Sequence, residues 1–238
     1  MTLFLNNKKD YKKFSKSEID IFNYSSFVRT IKDVYTISIQ RSLMNQLLEG
    51  IEFKGNILDI GGGNRASYKK TLGNEEYTSV NIDTEIEPDI KINVGEKIPI
   101  KDKLFAHCLM FNLLEHVYNW DDLFIDAHRL LIKGGKLHII MPFMYPIHGA
   151  PQDFKRVTET YFEEYLKKMN FENIKIYPLS YGPFTNSQLV GLTHRYFNGP
   201  HAQLCVILDR ILQLYSKRIY YKYNRRCPLF YYVESSKK

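Results

Sequence analysis

Short apolar runs alternate with helical stripes along most of this chain. Ile57, Leu58 and Ile60 predict a short buried strand, which Gly61, Gly62 and Gly63 end abruptly. Tyr77–Ile82, Ile90–Val94, Ala106–Asn112 and Lys136–Met141 predict four more strands. Between the last two of these lies a helical stripe of Leu123, Ala127, Leu130 and Leu131, with Asp121 as its cap and Lys133-Gly134-Gly135 as its stop. Upstream, Ser17 to Gly50 reads as helix broken near Ser25, with Ile31, Val34, Tyr35, Ile39, Leu43 and Leu47 as its stripe. A short polar helix is predicted near 67–72, and the Lys-rich start, 1–17, is expected to be poorly ordered. Strands alternating with helices predict an α/β, doubly wound Rossmann-like sheet, whose ligand site lies at the carboxyl ends of its strands.

Composition narrows this picture a little. A chain of 238 residues, 44% hydrophobic, has enough apolar mass for one large domain. Its formal charge of +7 favours an anionic partner, such as a phosphorylated substrate, nucleic acid or lipid, although no nucleic-acid motif accompanies it. Cys108, Cys205 and Cys227 show no paired spacing, which fits a reducing compartment and no zinc site. No run is long and apolar enough to span a bilayer, and no secretory leader is evident. A cytoplasmic location is therefore expected.

Candidate chemistry concentrates at the predicted carboxyl edge. Glycines at 61, 62 and 63 allow a tight turn and a close approach of ligand to backbone. Asp59 ends the first strand, where it can face a cation or accept from hydroxyls. Gly61, Gly63 and Ala66 also satisfy the dinucleotide fingerprint G-x-G-x-x-A, so a nicotinamide-dependent oxidoreductase is an alternative. Asp83 ends the second strand, a position suited to ribose hydroxyls. Asn93 and Val94 could flank an adenine, and Asn112 shares their edge. After the fifth strand, the stretch from Pro142 to Arg156 carries Tyr145, His148, Asp153 and Arg156. There His148 could take a proton, Asp153 orient it or act as base, and Arg156 fork an anion, unless Asp153 and Arg156 simply pair. His116 could touch acceptor or cofactor. Arg195 is a further candidate for substrate. No His/Asp/Glu spacing marks a metal site.

Leu58-Asp59-Ile60-Gly61-Gly62-Gly63, Asp83, Lys97-Ile98-Pro99-Ile100, Leu114-Glu115-His116-Val117 and Arg129 to Gly135 occur here in an order that resembles the class I S-adenosylmethionine-dependent methyltransferases, of the broad type 11 group. The likeness covers roughly residues 54–180. It departs from the usual pattern at Arg65, Asn93 and Ala106, which keeps a non-catalytic binding protein open as another alternative. The resemblance implies S-adenosyl-L-methionine as cofactor, with Asp59, Gly61, Gly62, Gly63, Asp83, Asn93, Val94 and Asn112 around it. It implies a seven-stranded, mostly parallel sheet, with Glu172–Leu179 as strand six and Leu229–Glu234 as an antiparallel strand seven. The domains would be a helical cap at 1–50, a core at 51–180 and 228–238, and a helical insertion at 181–227, helical over 202–222. The string from Pro146 to Arg156 is similar to one in methyltransferases of bacterial surface-polysaccharide genes. That implies O-methylation of a sugar hydroxyl or phosphoryl-type oxygen in capsule biosynthesis. The residue chemistry makes His148, Asp153 and His116 the catalytic candidates and Tyr145, Arg156 and Arg195 the substrate contacts. Basic and aromatic residues across 202–226 leave open a peripheral contact with the inner membrane.

Overall fold

The computed structural model describes residues 23–73, 76–149, 152–190 and 199–238. Seven strands form one sheet: β1 (Ile57–Ile60), β2 (Tyr77–Asn81), β3 (Ile90–Lys91), β4 (Phe105–Phe111), β5 (Leu131–Pro142), β6 (Phe171–Leu179) and β7 (Phe230–Lys237), in the spatial order β3-β2-β1-β4-β5-β7-β6. The first five run parallel. β7 is antiparallel to both β5 and β6, as the resemblance implies.

Both faces of the sheet are covered, which is why the strands read as continuous apolar runs. Leu58, Cys108, Met110, Leu137, Ile139, Tyr231 and Val233 point into one core. Helices α3 (Asp121–Leu130) and α4 (Glu159–Lys168) close that side with Phe124, Ala127, Leu130, Phe162 and Leu166. Ile57, Leu109, Phe111, Ile140, Phe230 and Tyr232 occupy the alternate positions and face a second core, filled by Leu43, Leu47 and Val206. Neighbouring residues of one strand thus serve opposite layers.

The N-terminal helices break later than the sequence predicts. α1 (Tyr24–Asp33) is capped by Asn23, whose Oδ1 accepts from Ser26 N at 2.8 Å. α2 (Ile39–Glu49) starts at Ser38, whose Oγ accepts from Arg41 N at 3.2 Å. A second good N-cap residue ends the stripe between Val34 and Ser38, not at Ser25. Tyr35 therefore falls in the turn, exposed, and donates its hydroxyl to Gln203. Asp121 is likewise not a cap. Trp120 holds that position, and Asp121, in the first turn of α3, accepts from the Tyr165 hydroxyl at 2.8 Å. β3 is only two residues long, so Asn93 and Val94 lie in the turn beyond it.

Between β6 and β7 come α5 (Pro183–Val190), α6 (Pro200–Tyr215) and α7 (Lys217–Arg226), so the described part of the insertion is helical. Residues 191–198, including Arg195, lie outside the described residues. Asp209 of α6 fastens this subdomain. Its carboxylate accepts from the backbone N–H groups of Phe184 and Thr185, at 3.0 and 2.8 Å, and so caps α5 from another helix. A Cβ on Gly182 would lie 2.3 Å from this carboxylate, so the close approach requires glycine there. Asp209→Ala should lose about 1–3 kcal/mol by stranding two buried donors, a fall of about 3–10 °C in thermal unfolding. An unchanged Tm would show that Asp209 does not hold α5.

Candidate active site

The glycine turn after β1 is built around a buried acid. Asp59 is fully buried, and its Oδ2 accepts from the hydroxyls of Tyr68 and Tyr77 at 2.7 and 2.6 Å. Its Oδ1 makes no hydrogen bond among the described residues. Burial pushes this carboxyl up to about 6, against the pull of the two tyrosines. The acid does accept from hydroxyls, those of Tyr68 and Tyr77.

Gly61 takes φ +88°, a left-handed turn that side chains resist. A Cβ on Gly62 would lie 1.8 Å from Asp59 Oδ2, and one on Gly63 2.2 Å from the Ile86 carbonyl oxygen. Packing therefore demands both glycines. The segment after β2 lies across this turn. Asn64 N donates to Glu87 O at 3.0 Å, Arg65 N donates to Ile86 O at 3.2 Å, and Arg65 pairs with Glu87. Instead of an α-helix, a 3-10 turn at Lys69–Leu72 follows. The first donors after the glycines are already used, and no long helix start points at a ligand.

The other cofactor candidates line the carboxyl edge. Asp83 follows β2 and is exposed; its Oδ1 accepts from Glu85 N at 2.8 Å. Asn93 and Val94 are exposed, with Asn93 N and Nδ2 both donating to Glu96. Asn112 follows β4 with φ +49°, and its Oδ1 accepts from Gln40 Nε2 at 3.3 Å. Gln40 belongs to α2, so the cap reaches this edge. An exposed acid after the second strand and an amide after the fourth fit an adenosyl ligand.

The segment from Phe143 to Thr158 leaves β5 at the same edge. It is pinned where Phe143 N donates to Leu229 O and Phe154 N to Glu115 O, at 2.8 and 2.7 Å. Arg156 forks Asp153 through both terminal nitrogens, the Nη2 contact being 2.7 Å, and His148 N donates to the same carboxylate at 3.1 Å. These donors hold Asp153 at about 2, with the Arg156 hydrogen bond the largest cause. Pairing is thus the arrangement found: Asp153 shapes the loop and is a poor base, and Arg156 is engaged before any anion arrives. Tyr145 is half-buried, its ring edge-on to His148 at 5.2 Å between centroids. His116 and His148 also meet edge-on, at 5.1 Å.

Glu115, named in the sequence only within the Leu114–Val117 string, is given no role there. It is fully buried, both carboxylate oxygens lack a hydrogen-bond partner among the described residues, and burial pushes it up to about 7. Only its place beside His116 signalled it.

Asp59 gives a pH test. Its carboxyl titrates at about 6 when folded and at an ordinary 3.8 when unfolded. The folded state therefore binds the extra proton between these values, and stability falls as pH rises from about 4 to 6. Asp59→Asn removes this contribution, about 3 kcal/mol across the window. Denaturant unfolding of both proteins at several pH values measures it. Equal slopes would refute the buried-acid assignment.

Residues 58–139 match the family model described as a methyltransferase domain. No curated protein matches the chain. Among solved structures, a SAM-dependent methyltransferase from Archaeoglobus fulgidus is similar at 17% identity and TM-score 0.52, over 90% of this chain and 100% of its own. A possible histamine N-methyltransferase from Thermotoga maritima gives 15% and 0.51, over 90% and 89%. The cyclase SpnF gives 13% and 0.53, over 90% and 92%. One fold thus carries more than one named reaction. Residues 58–139 are thus similar to a methyltransferase domain, and the chain has the fold of these SAM-dependent methyltransferases.

Proposed function

We propose that the protein is an S-adenosylmethionine-dependent O-methyltransferase acting on a sugar hydroxyl or phosphoryl-type oxygen of a bacterial surface glycan. One observation carries the choice of cofactor class. A dinucleotide needs free backbone donors at a helix start for its pyrophosphate. Here Asn64 and Arg65 donate to the 86–87 carbonyls, and only a 3-10 turn follows. An adenosyl-sulfur ligand carries no phosphate and does not need that cradle.

When bound, the cofactor supplies a methyl group activated on a cationic sulfur. The chain's task is to hold it, align the acceptor and exclude water. Asp83 is placed to accept from ribose hydroxyls, Val94 to flank the adenine, and Asn112 with Gln40 to wall the edge. Tyr145 and His148 border the acceptor side, where a proton must leave if the acceptor is a hydroxyl. The capsule-type acceptor rests on the similarity of the Pro146 to Arg156 string.

Calorimetric titration tests the cofactor. S-adenosylmethionine and S-adenosylhomocysteine should bind and NAD should not, and Asp83→Ala should weaken binding at least tenfold. Binding of NAD alone would overturn the reading. Methyl-labelled cofactor offered with sugars, sugar phosphates and amines then tests the acceptor: label on nitrogen, and none on oxygen, would overturn O-methylation.

The insertion favours a second property of the same protein. Leu204, Ile207, Ile211 and Leu214 are exposed on one face of α6, and Lys217, Arg218 and Lys222 are exposed on α7. Apolar and basic groups side by side suit anionic lipid, where a lipid-linked glycan would reside. No helix among the described residues is long and apolar enough to cross a membrane. Sedimentation with phosphatidylglycerol vesicles should exceed that with phosphatidylcholine and fall in Leu214→Ser. Equal partition would refute the contact.

A further inference from the structure

The sequence spacing shows no metal site, but the fold draws Glu115, His116 and His148 together. One ligand atom of each lies within 4.8 Å of the others. We propose that these three side chains form a divalent transition-metal site at the acceptor mouth, with coordination positions left open for an acceptor oxygen.

Three independent features of the geometry support this. First, the Glu115 carboxylate lacks a hydrogen-bond partner among the described residues. Its side chain is fully buried. A buried carboxylate without hydrogen bonds is costly, and a bound cation would compensate it. The neighbouring protein cation does not supply a hydrogen bond: Arg156 directs its terminal nitrogens to Asp153, and its buried Nε has no partner.

Second, the imidazoles are held as metal ligands usually are. His116 Nδ1 lies 2.5 Å from the Gln152 carbonyl oxygen, so Nδ1 carries the proton and Nε2 keeps its lone pair. His148 Nδ1 lies 3.2 Å from the Pro146 carbonyl oxygen and 3.4 Å from Asp153 Oδ2. Both neighbours are acceptors, so here too Nε2 is the free lone pair. Asp153, held by Arg156, orients one of the ligating rings.

Third, the Glu115–His116 separation is too wide for a hydrogen bond and suited to a shared ion. His116 Nε2 lies 3.7 Å from Glu115 Oε1. Two ligands on one ion, with bonds of about 2.1 Å at a tetrahedral angle, stand about 3.4 Å apart. A nitrogen-rich set of two imidazoles and one carboxylate favours zinc, manganese or ferrous iron over magnesium or calcium. Three protein ligands are the usual number where a metal keeps a position for substrate or water.

If the proposed methyl transfer is correct, a hydroxyl bound to this metal is easier to deprotonate and is fixed in direction. His116 and His148 would then act on the acceptor through the ion. That role rests on the methyltransferase reading; metal binding itself does not.

The test uses tag-free full-length protein stripped with chelator. Zinc and manganese are titrated calorimetrically, and cobalt is followed by its visible absorption. One saturable site per chain is expected, weakened at least tenfold in Glu115→Gln and in His148→Ala. His128→Ala, outside the cluster, should leave it unchanged. Circular dichroism of each variant verifies folding. No saturable binding, or equal binding in the cluster variants, overturns the proposal. S-adenosylhomocysteine titration of the same samples separates the two readings: if it binds and metal does not, only the metal site falls.

Discussion

A carboxylate sealed from water at the end of β1 governs the corner on which the rest of the site depends. Asp59 is stabilised by two tyrosine hydroxyls, one from the segment after the turn and one from β2. It thus joins three parts of the chain that a sheet alone would leave separate. The backbone must pass so close above it that Gly62 has no room for a Cβ, and Gly63 must let the Ile86 carbonyl approach. Once the segment at 86–87 is drawn onto the turn, the chain leaving β2 has little freedom. Asp83 is therefore set in direction by packing around the buried carboxylate of Asp59. Burying a charge is costly unless it is satisfied, so a corner of this type is intolerant of change even where it makes no contact with substrate.

The acceptor side depends on a different constraint, the insertion of β7 between β5 and β6. Its start gives Leu229 and Pro228 carbonyls to Phe143 and Met144, fixing where the chain leaves β5. The Glu115 carbonyl fixes the same segment from the β4 side through Phe154. Held at two points, the loop brings His148 beside His116. The insertion also forms a common roof with the cap: Gln203 of α6 donates to the Ile31 carbonyl and accepts from Tyr35. Cap and insertion therefore close the same face of the sheet.

Much of the framework was legible in the sequence because the physics behind it is local. Apolar pairs such as Leu58 with Ile57, or Met110 with Leu109, mark strands buried on both faces, and the turn glycines mark the corner. Where two local signals competed, reading failed: Ser25 and Ser38 are both cap residues, and only packing decides that Ser38 caps a helix. α4 was not foreseen, although Phe162 and Leu166 are spaced for it. Asp59 was read in the right element and as an acceptor from hydroxyls, but a strand's pleat does not say that those hydroxyls belong to Tyr68 and Tyr77. Glu115 was invisible as a lone group because its burial is produced by chain segments far from it in sequence.

Two carboxylates at the acceptor mouth show how environment divides roles between like groups. Asp153 has an arginine fork and a backbone donor, and stays ionised down to about 2. Glu115 has no arginine fork, and burial raises it to about 7. A proton taken from a substrate would therefore not rest on Asp153, whose charge is already balanced by Arg156. Nor is Arg156 free to receive an anionic acceptor without breaking that pair. The groups at this edge still able to change partners are Glu115 and the free nitrogens of His116 and His148. Asp153 and Arg156, paired with each other, fix where these groups stand.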